Sequence, residues 1–253
     1  MHNYQPSKTL LKERNILVTG AGSGIGQAAA RAFAEHGATV ILLGRHEGRL
    51  EETYDVIESA GGPTPAMISF DLEKAPANDY YALGESLYEE FGVLHGLLHN
   101  AAQLALLSRI DDYDFETWQK VIKVNLTAPF LLTQACLPLL RKAEDASILF
   151  TSDERGRKGK AYWGAYGVSK FGIEGLMQTL ADELENSHIR VNSIAPCPTR
   201  TSLRAWAYPG ENPLSHPLPD SLMGSYLYLM GPDSRQVNGE AMTALPESRE
   251  QST

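Results

Sequence analysis

Tyr166 and Lys170 stand four positions apart in the stretch YGVSK, and two acids, Asp153 and Glu154, precede them. On a helix, residues at i and i+4 share a face. The segment predicts one helix over 162–186, which sets the phenol beside the ammonium. A neighbouring cation favours the phenolate and lowers a phenol pKa from its usual value of about 10. Such a tyrosine can give or take a proton near neutral pH. Alone, a Tyr-x-x-x-Lys pair is usually structural, so the reading needs a second feature.

The stretch NILVTGAGSGIGQAAA supplies one. Glycines 20, 22, 24 and 26 fall between an apolar run and an alanine-rich helical pattern. Glycine lets the backbone turn sharply and approach a ligand with no Cβ in the way. The amino end of the next helix offers unpaired N–H groups and a partial positive charge to a phosphate. The spacing is TGxxxGxG rather than GxGxxG, but its place, the first strand-to-helix turn, is that of a dinucleotide fingerprint. Where a carboxylate would bind the ribose 2′-hydroxyl of NAD, the sequence reads Leu43-Gly44-Arg45. A guanidinium pairs well with a 2′-phosphate. NADP(H) is therefore expected, with Arg45 as its main reader and His46 or Arg49 as helpers.

These residues need a scaffold, and the apolar pattern provides it. NILVTG, ATVILLGR, MISFDL, VLHGLLHNAA, ASILFTS and IRVNSIAP are short apolar runs separated by helix-length segments, with one more edge strand expected after Gly239. That order predicts an α/β fold: a single Rossmann-like, doubly wound parallel sheet of about seven strands with helices on both faces. The 253 residues suit one domain spanning 1–253, since single cores stop growing at roughly 250–300 residues. Residues 198–220 hold five prolines and no helical period, and read as a long loop that acts as a substrate lid. The tail after about 246 reads as disordered.

Composition narrows the partners. The formal net charge is −9 and the basic residues are scattered, so neither nucleic acid nor a membrane surface is expected, and a small molecule is. Two cysteines are too few for a disulfide framework, and no signal-like or spanning apolar run occurs; a cytoplasmic chain is the expectation. The seven histidines show no metal-ligand spacing, and His99 reads as a packed histidine.

TGAGSGIG, Asp71-Leu72 after the third strand, HNAA after the fourth, Asn125 in KVNLTAPF, YGVSK and the Pro196 turn together resemble the short-chain dehydrogenase/reductase superfamily. The match runs in order from about Asn15 to Gly239. GRKGKAYWGAYGVSKFGIEGLMQTLADEL and YLYLMGPDSR are similar to its bacterial YciK-like branch. The resemblance implies hydride transfer between a nicotinamide and a small carbonyl or alcohol. It makes Tyr166 the acid/base, Lys170 the holder of the nicotinamide ribose, and Asn125 the support of a proton-relay water. It sets Gly20, Ser23, Gly24, Ile25 and Gly26 against the cofactor, Asp71 and Leu72 at its adenine, and Asn100 and Ala101 at its central ribose region. Thr199 and Thr201 would lie near the carboxamide and phosphates. Homodimers or homotetramers are implied too, with Gly164, Gly167, Gly172 and Gly175 permitting close helix contact.

Three residues break the family pattern. Asp153 stands where the family has a serine that donates to the substrate oxygen. An ionised aspartate only accepts, so it repels a developing oxyanion and disfavours a tyrosinate. Weakened or altered catalysis is expected first. The alternatives are a protonated Asp153 that donates, a swing of Ser152 into the site, or pairing of Asp153 with Arg155, Arg157, Lys158 or Lys160. Ala102 and Cys197 replace family glycines, and Cys197 reads as a small buried apolar residue. Trp163, Trp206 and Tyr208 are candidate pocket walls. Against the enzyme stands a second reading, an NADP(H)-binding sensor or scaffold with little catalysis.

Overall fold

The computed structural model describes residues 4–246. The tail expected to be disordered after about 246 lies outside them. Seven strands form one sheet: β1 (Asn15–Thr19), β2 (Thr39–Gly44), β3 (Ala66–Ser69), β4 (Gly96–His99), β5 (Ala146–Thr151), β6 (Ile189–Pro196) and β7 (Ala241–Ala244). Their order is β3-β2-β1-β4-β5-β6-β7 and every neighbouring pair is parallel. The central strands are buried along nearly their whole length, as suits runs of Val, Ile and Leu covered on both faces. The edge strands β3 and β7 are partly exposed.

Eight α-helices accompany the sheet among the described residues: α1 (Gly24–Glu35), α2 (Glu47–Ser59), α3 (Ala77–Phe91), α4 (Phe115–Ile122), α5 (Ala128–Leu140), α6 (Gly164–Glu183), α7 (Ser202–Ala207) and α8 (Met223–Met230). The pleat divides the strand residues between two cores. Ile16 and Val18 of β1 pack with α1, α2 and α8, while Leu17 between them packs with α3, α5 and α6. Strand order reverses between β1 and β4, which opens a crevice beyond their carboxyl ends.

Two elements differ from the sequence expectation. Helix α6 runs over Gly164–Glu183 rather than 162–186, because Tyr162 (φ 74°) and Gly164 (φ 33°) hold left-handed backbone and Leu184 leaves the helical region at φ −103°. The segment 198–220 is not wholly loop. Thr201 caps α7, its hydroxyl accepting the Arg204 N–H at 3.1 Å, and SLRAWA lacks the prolines that crowd the stretch after Tyr208. That stretch folds into short 3₁₀ turns at Pro213–Ser215 and Pro219–Leu222. Arg204 clasps the Glu211 carboxylate with two hydrogen bonds of 2.6 and 2.8 Å, and His216 meets the same carboxylate at 2.9 Å. Among the described residues no helix is long and apolar enough to cross a membrane.

Candidate active site

Beyond the carboxyl ends of the strands lies a cleft of about 620 Å³. One end is built by the glycine turn. Gly20 and Gly24 hold φ of 68° and 57°, a region that disfavours any side chain. A Cβ on Gly26 would lie 2.3 Å from the Gly20 carbonyl oxygen and 2.5 Å from Asn100 Nδ2, so α1 can pack on its own turn only with glycine there. Ser23, the N-cap of α1, makes no capping bond with its side chain, and with Gly24 and Ile25 it lines the cleft. Thr19 fastens this wall: its hydroxyl accepts the N–H groups of Asn100 at 2.9 Å and Ala101 at 3.0 Å.

Arg45 leaves the end of β2 exposed, its Nε 3.1 Å from His46 Nε2, and Arg45, His46 and Arg49 border the same end. Asp71 lines it too, with Oδ1 accepting the N–H of Glu73 at 3.0 Å, and so does Leu72, which also belongs to the core. Across the opening, the buried Thr199 donates to the Cys197 carbonyl at 2.6 Å, and Thr201 caps α7.

At the other end α6 delivers Tyr166 and Lys170, both buried. The Tyr166 hydroxyl donates to Asp153 Oδ2 at 3.1 Å, and Asp153 Oδ1 accepts the Arg155 N–H at 2.8 Å. Lys170 donates to the Thr151 carbonyl at 2.7 Å and lies 5.6 Å from the centre of the Tyr166 ring. Burial lowers the Lys170 pKa to about 8, against the opposing pull of the Asp153 and Glu174 charges. The expected acidified phenol is not found. Burial raises the Tyr166 pKa well above 10, and the charge and hydrogen bond of Asp153 raise it further, with Arg155 working the other way. The Asp153 carboxylate holds the phenol's hydrogen bond, and the ammonium is engaged with a carbonyl.

Asn125 sits in a π-helical segment, Lys123–Thr127, between α4 and α5. Its side chain clamps Gln103, accepting the Gln103 N–H at 2.7 Å and donating to the Gln103 carbonyl at 2.9 Å, and donates to Ser169 at 3.1 Å. It thereby ties the loop after β4 to α6. Asp153 forms no ion pair with Arg155, Arg157, Lys158 or Lys160; Arg157 is bound to Glu174 at 3.1 Å, and Arg155 to Glu154 at 3.3 Å. Among the described residues the buried Ser152 hydroxyl finds no hydrogen-bond partner. Ala102 and Cys197 both line the cleft and neither holds a left-handed backbone. Cys197 is half-buried at the cleft wall rather than buried as expected, and burial raises its thiol pKa.

Trp163, Trp206 and Tyr208 all line the cleft. The Trp163 ring lies 5.5 Å from that of Tyr166 and 5.9 Å from that of Tyr208. His99 is a packed histidine: it bonds Thr133 at 2.8 Å and stacks on Phe150, and burial lowers its pKa to about 3. On α6, Gly172 sits under Leu126 and Gly164 under Tyr113 of the same chain, while Gly175 faces open space. Among the described residues no cluster of His, Cys, Asp and Glu could hold a metal. The sequence reading missed Thr19, Thr151 and Gln103. Thr19, directly before the first glycine of the turn, carried a signal; the other two act through main-chain groups and carried none.

The sequence matches the short chain dehydrogenase family over residues 14–212. It is 45% identical over 246 residues to the oxidoreductase YciK of Escherichia coli K12, covering 97% of each chain. The fold superposes on a short chain dehydrogenase from Escherichia coli complexed with NADPH at a TM-score of 0.92, with 45% identity over 95% of this chain and 100% of that one. A Shigella flexneri short chain dehydrogenase complexed with NADP gives a TM-score of 0.92 and 43% identity over the same shares.

Proposed function

The chain belongs to the short chain dehydrogenase family, and from that premise we propose that it is an NADP(H)-dependent oxidoreductase acting on a small carbonyl or alcohol. One observation carries the reading. The Tyr166 hydroxyl and the Lys170 ammonium border the same cleft as a glycine turn that admits no side chain, and an arginine rather than a carboxylate closes β2.

The residues present fit a dinucleotide. Gly20 and Gly24 line the cleft in left-handed backbone, Gly26 behind them lets the turn close on α1, and the Ser23 hydroxyl is unused by its helix. Gly20, Ser23, Gly24, Ile25 and Gly26 hold the pyrophosphate side, and Arg45 pairs with the 2′-phosphate. Asp71 and Leu72 border the adenine, Asn100 and Ala101 the central ribose region, and Thr199 and Thr201 the carboxamide end. Lys170 holds the nicotinamide ribose. When bound, the nicotinamide supplies or accepts hydride. Tyr166 moves the accompanying proton at its hydroxyl oxygen. Asn125 holds the loop at Gln103 and, through it, the relay site beside α6. Asp153 makes plain carbonyls slow substrates, because losing one donor at the reacting oxygen costs roughly 10²–10³ in rate. Two copies pair through the outer face of α5 and α6, where Phe130, Val168 and Phe171 are exposed.

The Tyr166–Asp153 hydrogen bond also favours a second reading, a nucleotide-binding sensor with little turnover. Titration of NADPH and NADH by fluorescence tests the site common to both. NADPH should bind more tightly, and Arg45→Ala should weaken NADPH alone by roughly ten- to hundredfold, the worth of a charged hydrogen bond. Equal affinities for the two nucleotides in the unaltered protein would remove the role given to Arg45.

A further inference from the structure

Asp153 faces the cleft with no cation in salt-bridge contact among the described residues, although its charge reaches the buried Lys170 ammonium. Its carboxylate accepts from the Tyr166 hydroxyl and from the Arg155 main chain, and among the described residues it forms no ion pair. The nearby guanidinium groups are engaged elsewhere: Arg155 pairs with Glu154, and Arg204 with Glu211. The Lys170 ammonium is held by the Thr151 carbonyl. Around this unbridged carboxylate the wall is aromatic, with Trp163, Tyr166, Trp206 and Tyr208 lining the same cleft. A carboxylate offers about four acceptor sites, and only two of them are used here.

A ketone suits this corner poorly. Its oxygen, like the carboxylate, only accepts. To receive the Tyr166 hydrogen bond it must displace Asp153 from the phenol, and two acceptors are then left together as negative charge grows. A reacting group that brings its own N–H and a positive charge meets no such conflict. Its N–H donates to a free site on Asp153, Tyr166 keeps its bond, and the aromatic faces attract the cation.

Resting on the oxidoreductase reading, the geometry points to a substrate class: Asp153 makes this cleft select a protonated carbon–nitrogen double bond over a plain ketone. The imine carbon takes hydride from the reduced nucleotide, which is oxidised. The carbon–nitrogen π pair becomes the nitrogen lone pair, and the neutral amine takes a proton from water after release. Because positive charge is lost in this step, Asp153 does not act by stabilising the transition state. It acts by keeping the nitrogen protonated, and hence electrophilic, at a pH where the free imine would lose its proton.

The test pairs two ligands on a benzo-fused six-membered ring, 3,4-dihydroisoquinoline as the imine, its nitrogen in the ring, and 1-tetralone as the ketone, its oxygen projecting from it. With NADPH, kcat/KM for the imine should exceed that for the ketone by about a hundredfold or more, the scale of one mismatched group at the reacting atom. Asp153→Ser should raise ketone turnover and lower imine turnover, and Asp153→Asn, which keeps the shape and removes the charge, should move the ratio the same way. A ratio near one in the unaltered protein, or one that neither variant changes, overturns the inference.

Binding reads the same preference without turnover, since Trp163 and Trp206 line the cleft. Their emission, titrated with 1,2,3,4-tetrahydroisoquinolinium and with 1-tetralol, should show tighter binding of the cation, lost in both variants. The cation preference without turnover of either substrate would keep the inference and remove the oxidoreductase reading. Ketone turnover without that preference would do the reverse.

Discussion

At the glycine-turn end of the cleft the wall is main chain; at the Tyr166 end it is side chain. Gly20 and Gly24 hold backbone that disfavours a Cβ, and at Gly26 a Cβ would collide with a carbonyl and an amide. Little can be exchanged there without moving α1. At the opposite end, Asp153, Trp163, Trp206 and Tyr208 sit around a fixed Tyr166–Lys170 pair and could be replaced without redirecting the chain. The difference suggests that the first end is held by the fold, whereas selectivity at the second is set by a few side chains.

Three measurements would break or sharpen that division, and the largest effect belongs to Tyr166→Phe. Loss of a positioned proton donor should cut turnover of a carbonyl by roughly 10²–10⁴ while NADPH affinity stays unchanged. Equal losses in both would mean the two ends act as one. Gly26→Ala should do the opposite. Its Cβ would meet the Gly20 carbonyl oxygen at 2.3 Å, and forced overpacking costs about 1–3 kcal/mol of stability, read as a lower melting temperature, with weaker NADPH binding as the turn shifts. Unaltered affinity and melting would show that the turn yields, and that the end described as rigid is not.

The smallest effect is a pH dependence that reaches across the division. In the folded protein Lys170 titrates at about 8 rather than 10.5, so its charge is present below that pH and lost above it. If the ammonium holds the ribose, NADPH affinity should fall by about tenfold as pH rises from 7 to 9.5, and Lys170→Arg should flatten the profile. Stability should run the other way. Between about pH 8 and 10.5 the unfolded chain binds more protons, so this residue's contribution to stability rises with pH. A flat NADPH profile in the unaltered protein would confine Lys170 to a packing role.

The parts legible in the sequence are those where one local choice admits one solution. Apolar runs of β-branched residues fixed the strands, and four glycines between a strand and a helix left little but a tight turn beside a helix amino end. Where several solutions compete, the sequence spoke less clearly. Five prolines concealed a helix that Thr201 was placed to cap. The left-handed Tyr162 shortened α6 against a pattern that continued through it. The character of Asp153 as an acceptor was readable, but its choice of Tyr166 over four nearby cations was not. That choice depends on Arg157 reaching Glu174 and Arg155 reaching Glu154, contacts that spacing does not encode. Likewise, the i,i+4 spacing set Lys170 near Tyr166 without revealing that its ammonium would engage the Thr151 carbonyl.

His99 ends β4 directly before Asn100, stacked on Phe150 and titrating only near pH 3. An imidazole in the middle of the sheet would ordinarily make the neighbouring wall respond to mild acid. Here burial keeps it neutral, so mild acid adds no charge at this point under Asn100. A pH-dependent change in nucleotide affinity therefore need not be sought in that strand.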